Sequence, residues 1–139
     1  MLIRNLPERW DLEADVVSLG SGIGGLAAAI TARQNGASAL VLERAEQVGG
    51  VTALSLGEVW VPGNHHEQAL GIEDSAESGF RYLKRLSMDY GDDAAILNLT
   101  VHAREALRYF EERIGLQTMV IRNCPDYYYG HSNDSVAEG

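Results

Sequence analysis

Polar Asp15 gives way to a short apolar run, Val16 to Leu19, which stops at Gly20. A run this apolar reads as a strand covered on both faces, as in a parallel sheet. From about Gly22 to Asn35 the spacing changes, and Ile23, Leu26, Ala27 and Ile30 fall on one stripe of a helix rich in alanine. Asn35-Gly36 ends it, since both residues tolerate the left-handed conformation of a helix terminus. Ser38 to Glu43 is a second apolar run and the second strand. Together these elements predict one right-handed β-α-β unit.

Further on the pattern becomes helical. Asp74-Ser75-Ala76-Glu77 predicts a helix start with Asp74 as N-cap and Glu77 three residues later. Ala76, Phe80 and Leu83 share a face of that helix. Asp92 and Asp93 open another, in which Ile96, Leu99, Ala103, Leu107 and Phe110 recur at helical spacing and Gly115 lies past the end. Gln117 to Ile121 is expected to be a strand, and the tail from Cys124 has neither period. The expected layout is a β-α-β core over about 14–50, a loop over 49–64, a helical segment over 74–115 and a tail over 117–139. The fold class is α/β. One parallel strand pair is few for a doubly wound sheet, which usually has five or six strands. Two strands leave exposed edges and an unfilled core, so the domain is expected to be incomplete and completed by another chain.

The 139 residues are one domain's worth, enough to bury roughly two-thirds of the unfolded surface. A net charge of −9 disfavours nucleic acid and anionic membrane surfaces as partners. No run of 18 apolar residues is present to span a bilayer. Met1 to Asp15 carries Glu8, Asp11 and Glu13 and has no apolar h-region, so no secretory signal is read there. The single cysteine, Cys124, forms no internal disulfide, and a reducing cytoplasm is the expected location.

Chemistry concentrates at Gly20-Ser21-Gly22-Ile23-Gly24-Gly25. Between a strand and a helix, Gly20 permits the tight turn, Gly22 lets the backbone approach a pyrophosphate, and Gly25 allows close helix–strand packing. The helix N-terminus offers N–H groups and a partial positive charge. Glu43, 23 residues after Gly20, stands where a carboxylate accepts from a ribose hydroxyl. The loop Gly49-Gly50-Val51-Thr52-Ala53-Leu54-Ser55 suits a backbone pressed against a ligand, with Thr52 and Ser55 as donors; the alternative is an ordinary surface loop. Tyr127, Tyr128 and Tyr129 are partly buried packing residues or carry chemistry. His65 and His66 would face opposite ways on a strand, so they are expected to be exposed loop residues and no metal is expected.

Three blocks, Gly20 to Gly25, Leu42-Glu43-Arg44 with Gly49 to Ser55, and Val59-Trp60-Val61-Pro62-Gly63, resemble the FAD-dependent fumarate reductase/succinate dehydrogenase-like flavoproteins. The Trp-x-Pro-Gly block, Gly71-Ile72-Glu73-Asp74-Ser75 and Pro125-Asp126-Tyr127-Tyr128 resemble its 3-ketosteroid Δ1-dehydrogenase branch, over the N-terminal portion of such an enzyme. The resemblance implies a Rossmann-like fold with FAD. It implies that Gly20, Ser21, Gly22, Ile23, Gly24 and Gly25 hold the pyrophosphate and that Glu43, with Arg44 beside it, meets the adenosine ribose. Gly49, Gly50, Val51, Thr52 and Ser55 would line the cofactor towards the flavin. Tyr127 would be catalytic, helping a second tyrosine act as base while a hydride passes to the flavin. Val51 and Leu56 depart from the family pattern, which carries a small polar residue and a glycine there.

The implied activity is dehydrogenation of a carbon–carbon bond next to a ketone, on a steroid-like substrate, with a second polypeptide supplying the remaining domains. The alternatives are part of an enoate reductase of the fumarate reductase kind, or a non-catalytic FAD-binding or assembly subunit. A nicotinamide enzyme is disfavoured, because Gly49-Gly50 after the second strand is a flavoprotein feature in this family.

Overall fold

The computed structural model describes residues 7–130. The last nine residues of the expected tail, and the first six of the segment read for a secretory signal, lie outside it. The chain forms two compact units, Met1–Glu58 and Val59–Gly139.

In the first unit, β1 (Val16–Leu19), α1 (Ile23–Gln34) and β2 (Ala39–Leu42) form the predicted β-α-β unit. The strands pair in parallel, from Val16 opposite Ala39 to Leu19 opposite Leu42. Asp15 fixes this register. Its carboxylate accepts from the Ser38 N–H at 2.8 Å and the Ser38 hydroxyl at 2.6 Å, and these bonds hold it below its ordinary pKa. α1 packs on both strands through its small residues, and Ala29 is its buried member. Ile23, expected on the covered stripe, is 63% exposed. The cause is the close approach at Gly25, where a Cβ would lie 2.0 Å from the Gly20 carbonyl oxygen. Backbone meets backbone there, so small residues rather than the large apolar ones face the sheet. At the other end only Gly36 takes the left-handed conformation (φ +83°), while Asn35 has φ −94°.

In the second unit, α2 (His65–Ala69), α3 (Ala76–Leu86) and α4 (Asp93–Tyr109) lead into a π-helical turn, Phe110–Ile114. α2 was not expected. Asn64 caps it, accepting from the His66 and Glu67 N–H groups, while Glu67 reaches back to the Asn64 N–H at 2.9 Å. The N-cap of α3 is Ser75 rather than Asp74. Ser75 pairs reciprocally with Ser78, and the Asp74 carboxylate is turned to the Gly63 N–H at 2.8 Å and the Ser78 hydroxyl. α3 packs on α4, and Tyr82, Thr100 and Leu107 are buried. Leu99 lies on the flank of the covered stripe and is half exposed. Thr100 takes the central place, its hydroxyl bonded back to the Ile96 and Leu97 carbonyls. Residues 117–121 form no strand. Extended chain becomes a strand only beside a partner, and the described residues of this unit contain no strand.

Candidate cofactor site

The site of the first unit begins at Gly20, whose φ of +93° turns the chain from β1 into α1. Its N–H donates to the Leu42 carbonyl at 2.7 Å, tying the turn to the end of β2. Ser21 is 1% exposed. Its N–H and hydroxyl donate to one Glu43 oxygen at 2.9 and 2.5 Å, and its hydroxyl accepts from the Gly49 N–H at 2.8 Å. The Ala45 N–H donates to the other Glu43 oxygen at 2.9 Å. These bonds, Ala45 first and then Ser21, pull the Glu43 pKa down to about 2.

Thr52 closes the site from the other side. It lies in the 3₁₀ turn Gly50–Leu54, and its hydroxyl accepts from the Ile23 N–H at 3.1 Å. Gly49 (φ +110°) and Gly50 (φ +55°) allow this loop to fold back. A Cβ on Gly50 would lie 3.6 Å from the Gly22 Cα. Ser55 is turned inward on its own loop, donating to the Thr52 carbonyl at 2.8 Å. Arg44 and Val51 are exposed, Val51 at 82%. Ser21, expected beside the pyrophosphate, also joins turn, acid and loop.

A dinucleotide fits what is present. Gly22, the N-cap of α1, has no side-chain cap, and the first helical turn carries no acidic residue. A Cβ on Gly22 or Gly24 would meet nothing within 4 Å. Apart from the Ile23 N–H, which the Thr52 hydroxyl takes, the start of α1 presents side-chain-free glycine backbone at a positive helix end with open space before it, which suits a pyrophosphate. Glu43 beside it is ionised and fixed, and its Oε1, which accepts from the Ala45 N–H, has a second lone pair for a hydroxyl donor.

The second unit holds the tyrosine segment. Trp60 Nε1 donates to Asp126 at 2.7 Å, and its ring stacks on Tyr82 with centroids 5.8 Å apart. The Tyr82 hydroxyl accepts from the Tyr128 N–H at 3.3 Å, and burial pushes its pKa up. Tyr127, Tyr128 and Tyr129 are 89%, 53% and 54% exposed, which does not fit packing residues.

The histidines differ from expectation. On a helix His65 and His66 do not face apart; their ring centroids are 4.0 Å from one another. His65 Nε2 lies 2.8 Å from Glu111 Oε2 and His66 Nε2 2.6 Å from Glu111 Oε1. Thr118 donates its hydroxyl to Glu111, which His66 and Thr118 hold below its ordinary pKa. The signal overlooked was Asn64-x-x-Glu67, which marks a helix start just before the pair.

Residues 15–128 match the family described as FAD binding domain. The chain belongs to this family, and FAD is its cofactor. It is 37% identical over 113 residues to 4-oxocyclohexanecarboxylate 2-dehydrogenase of Sinomonas cyclohexanicum, covering 81% of this chain and 20% of that protein. It is 45% identical over 71 residues to urocanate reductase of Eggerthella lenta, covering 51% of this chain and 12% of that one. The crystal structure of 3-ketosteroid Δ1-dehydrogenase from Sterolibacterium denitrificans, in complex with 1,4-androstadiene-3,17-dione, superposes with a TM-score of 0.81 at 32% identity. That match covers 91% of this chain and 22% of that one. The chain spans about a fifth of the length of the relatives it matches over most of its residues.

Proposed function

We propose that this chain is the N-terminal FAD-binding portion of a dehydrogenase that introduces a carbon–carbon double bond next to a ring ketone. The observation that carries the reading is the glycine turn locked to Glu43 through Ser21, with open space at Gly22 and Gly24 before the N-terminus of α1. Two of the relatives, named for oxocyclohexane and ketosteroid substrates, supply the substrate class.

In this reading Gly22, Ile23 and Gly24 cradle the pyrophosphate, Glu43 accepts from the adenosine ribose with Arg44 alongside, and Gly49 to Ser55 border the remainder. When bound, FAD accepts a hydride. The chain's own part in the proton step falls to Tyr127. An ordinary phenol with a pKa near 10 is a weak base at neutral pH, and a second phenol beside it stabilises the anion. Trp60 and Asp126 anchor the Tyr127 segment to its unit. Leu19 (84% exposed), Val17 and Leu42 leave apolar surface along both strands. Further strands of the dehydrogenase, on this polypeptide or on a second one, would cover them.

The test is reconstitution with FAD and the missing C-terminal portion, then assay on 4-oxocyclohexanecarboxylate and a 3-ketosteroid with an artificial electron acceptor. Turnover of either supports the reading, and loss of turnover in Tyr127→Phe supports the role of that phenol. Flavin binding with no turnover of either ketone refutes it. The urocanate reductase match favours a second reading, reduction of an enoate. Consumption of urocanate or fumarate by the reduced complex, without ketone oxidation, would establish that instead.

A further inference from the structure

We propose that His65, His66 and Glu111, with Thr118 beside them, form a binding site for one zinc-like divalent cation that clamps the second unit together. The site is distinct from the glycine turn and independent of the reading above.

Three separate parts of the unit converge there. Consecutive residues on a helix are about 100° apart, close enough for both rings to lean over one carboxylate. The box of Asn64 and Glu67 fixes the start of α2 and so the direction of both rings. Glu111 comes from the π turn after α4, and such turns occur often at functional sites. Thr118, beyond the Gly115 turn, bonds Glu111 and lies 3.1 Å from His66 Nε2. The ligand atoms of the two histidines and Glu111 all lie within 4.8 Å of one another.

The donors select the cation. Two imidazole nitrogens and a carboxylate suit zinc and its neighbours, whereas magnesium and calcium take oxygen ligands. Side-chain exposures of 25% and 33% for the histidines and 14% for Glu111 leave an entry path. Zinc at about 2.0–2.2 Å from each ligand places tetrahedral donors about 3.3 Å apart. The present separations of 2.8 and 2.6 Å therefore open by roughly half an ångström, within reach of side-chain rotation. Each ring proton then sits on Nδ1 as Nε2 takes the metal. The Thr118 hydroxyl or a water completes four ligands. His65 Nδ1 is buried and makes no hydrogen bond among the described residues.

The test is titration of the full 139-residue chain with Co²⁺, read by visible absorption, followed by displacement with Zn²⁺. The expected result is one ion per chain with the intense bands of tetrahedral cobalt and a raised Tm on zinc addition. His66→Ala and Glu111→Gln should each weaken binding by about 10- to 100-fold. His102→Ala, on exposed α4 surface, should leave it unchanged. Histidine ¹⁵N shifts in the wild-type chain give a reading that needs no variant, with zinc moving Nε2 of His65 and His66 but not of His102. Absent tetrahedral bands, unmoved His65 and His66 signals, or binding that survives both ligand substitutions would overturn the proposal.

Discussion

Both donors of Ser21, its N–H and its hydroxyl, end on a single oxygen of Glu43, at 2.9 and 2.5 Å. The bond joins the turn after β1 to the end of β2, and the Ser21 hydroxyl carries it on to the Gly49 N–H. The acid proposed to meet the cofactor is thus also the acid that shapes the turn. The folded-state pKa of Glu43, near 2, lies below its ordinary 4.5. Its contribution to stability is therefore present above about pH 4.5 and lost as pH falls towards 2.

Replacing Ser21 with alanine removes the hydroxyl from this chain of bonds and leaves the N–H. FAD affinity, followed by flavin fluorescence, should fall about tenfold, the usual effect of losing one hydrogen bond to a charged group. Glu43→Gln should lower affinity at least as much and move the acid unfolding midpoint, by far-UV circular dichroism, to higher pH. Unchanged affinity in both variants would detach this network from the cofactor.

The glycines of the turn separate folding from binding. Gly25→Ala puts a methyl group 2.0 Å from the Gly20 carbonyl oxygen and should destabilise the unit by about 3 kcal/mol or more in denaturant unfolding. Gly22→Ala meets no protein atom within 4 Å, and its φ of −66° suits alanine. Its fold should persist while FAD binding falls about 100-fold, because the added methyl occupies the space proposed for the pyrophosphate. Gly22→Ala that binds FAD like the parent would place the pyrophosphate elsewhere.

These glycines also mark what the chain discloses locally. The β-α-β unit follows from short-range pattern, in which an apolar run, a glycine turn and an alanine-rich helix each need only their neighbours. Which face α1 buries does not, because the contact at Gly25 overrides the apolar stripe of Ile23 and Leu26. The strand expected over Gln117 to Ile121 failed for a similar reason, since its pattern was right but pairing needs a partner. The histidine cluster was illegible because Glu111 lies 45 residues from His66, across two helices. The local clue at Asn64 foretold the helix but not what its rings would meet.

Trp60 and Asp126 stand 66 residues apart, yet their bond holds the start of the tyrosine segment. Trp60→Phe keeps a ring to stack on Tyr82 and removes the indole donor. Hydrogen exchange at the Tyr128 and Tyr129 amides should then quicken by about tenfold, with exchange in α4 unaffected. Equal rates in both proteins would show that Trp60 does not order this segment.

The buried acid Glu67 gives the second unit a pH dependence of opposite sign to that of Glu43. Burial, aided by the nearby charges of Asp74 and Asp126 and opposed by the Asn64 N–H, raises its pKa from 4.5 to about 7. The folded form thus holds a proton that the unfolded chain gives up near pH 4.5. Stability from this group is full below that pH and is lost as pH rises through 7. Glu67→Gln stays neutral and still presents an oxygen to the Asn64 N–H, so the cap of α2 survives. Between pH 5 and pH 8 the parent should lose about 1–3 kcal/mol relative to the variant, in denaturant midpoints measured at both values. A variant whose stability falls in parallel with the parent would mean that Glu67 is ionised and satisfied within the fold, and that the pH dependence arises at another group.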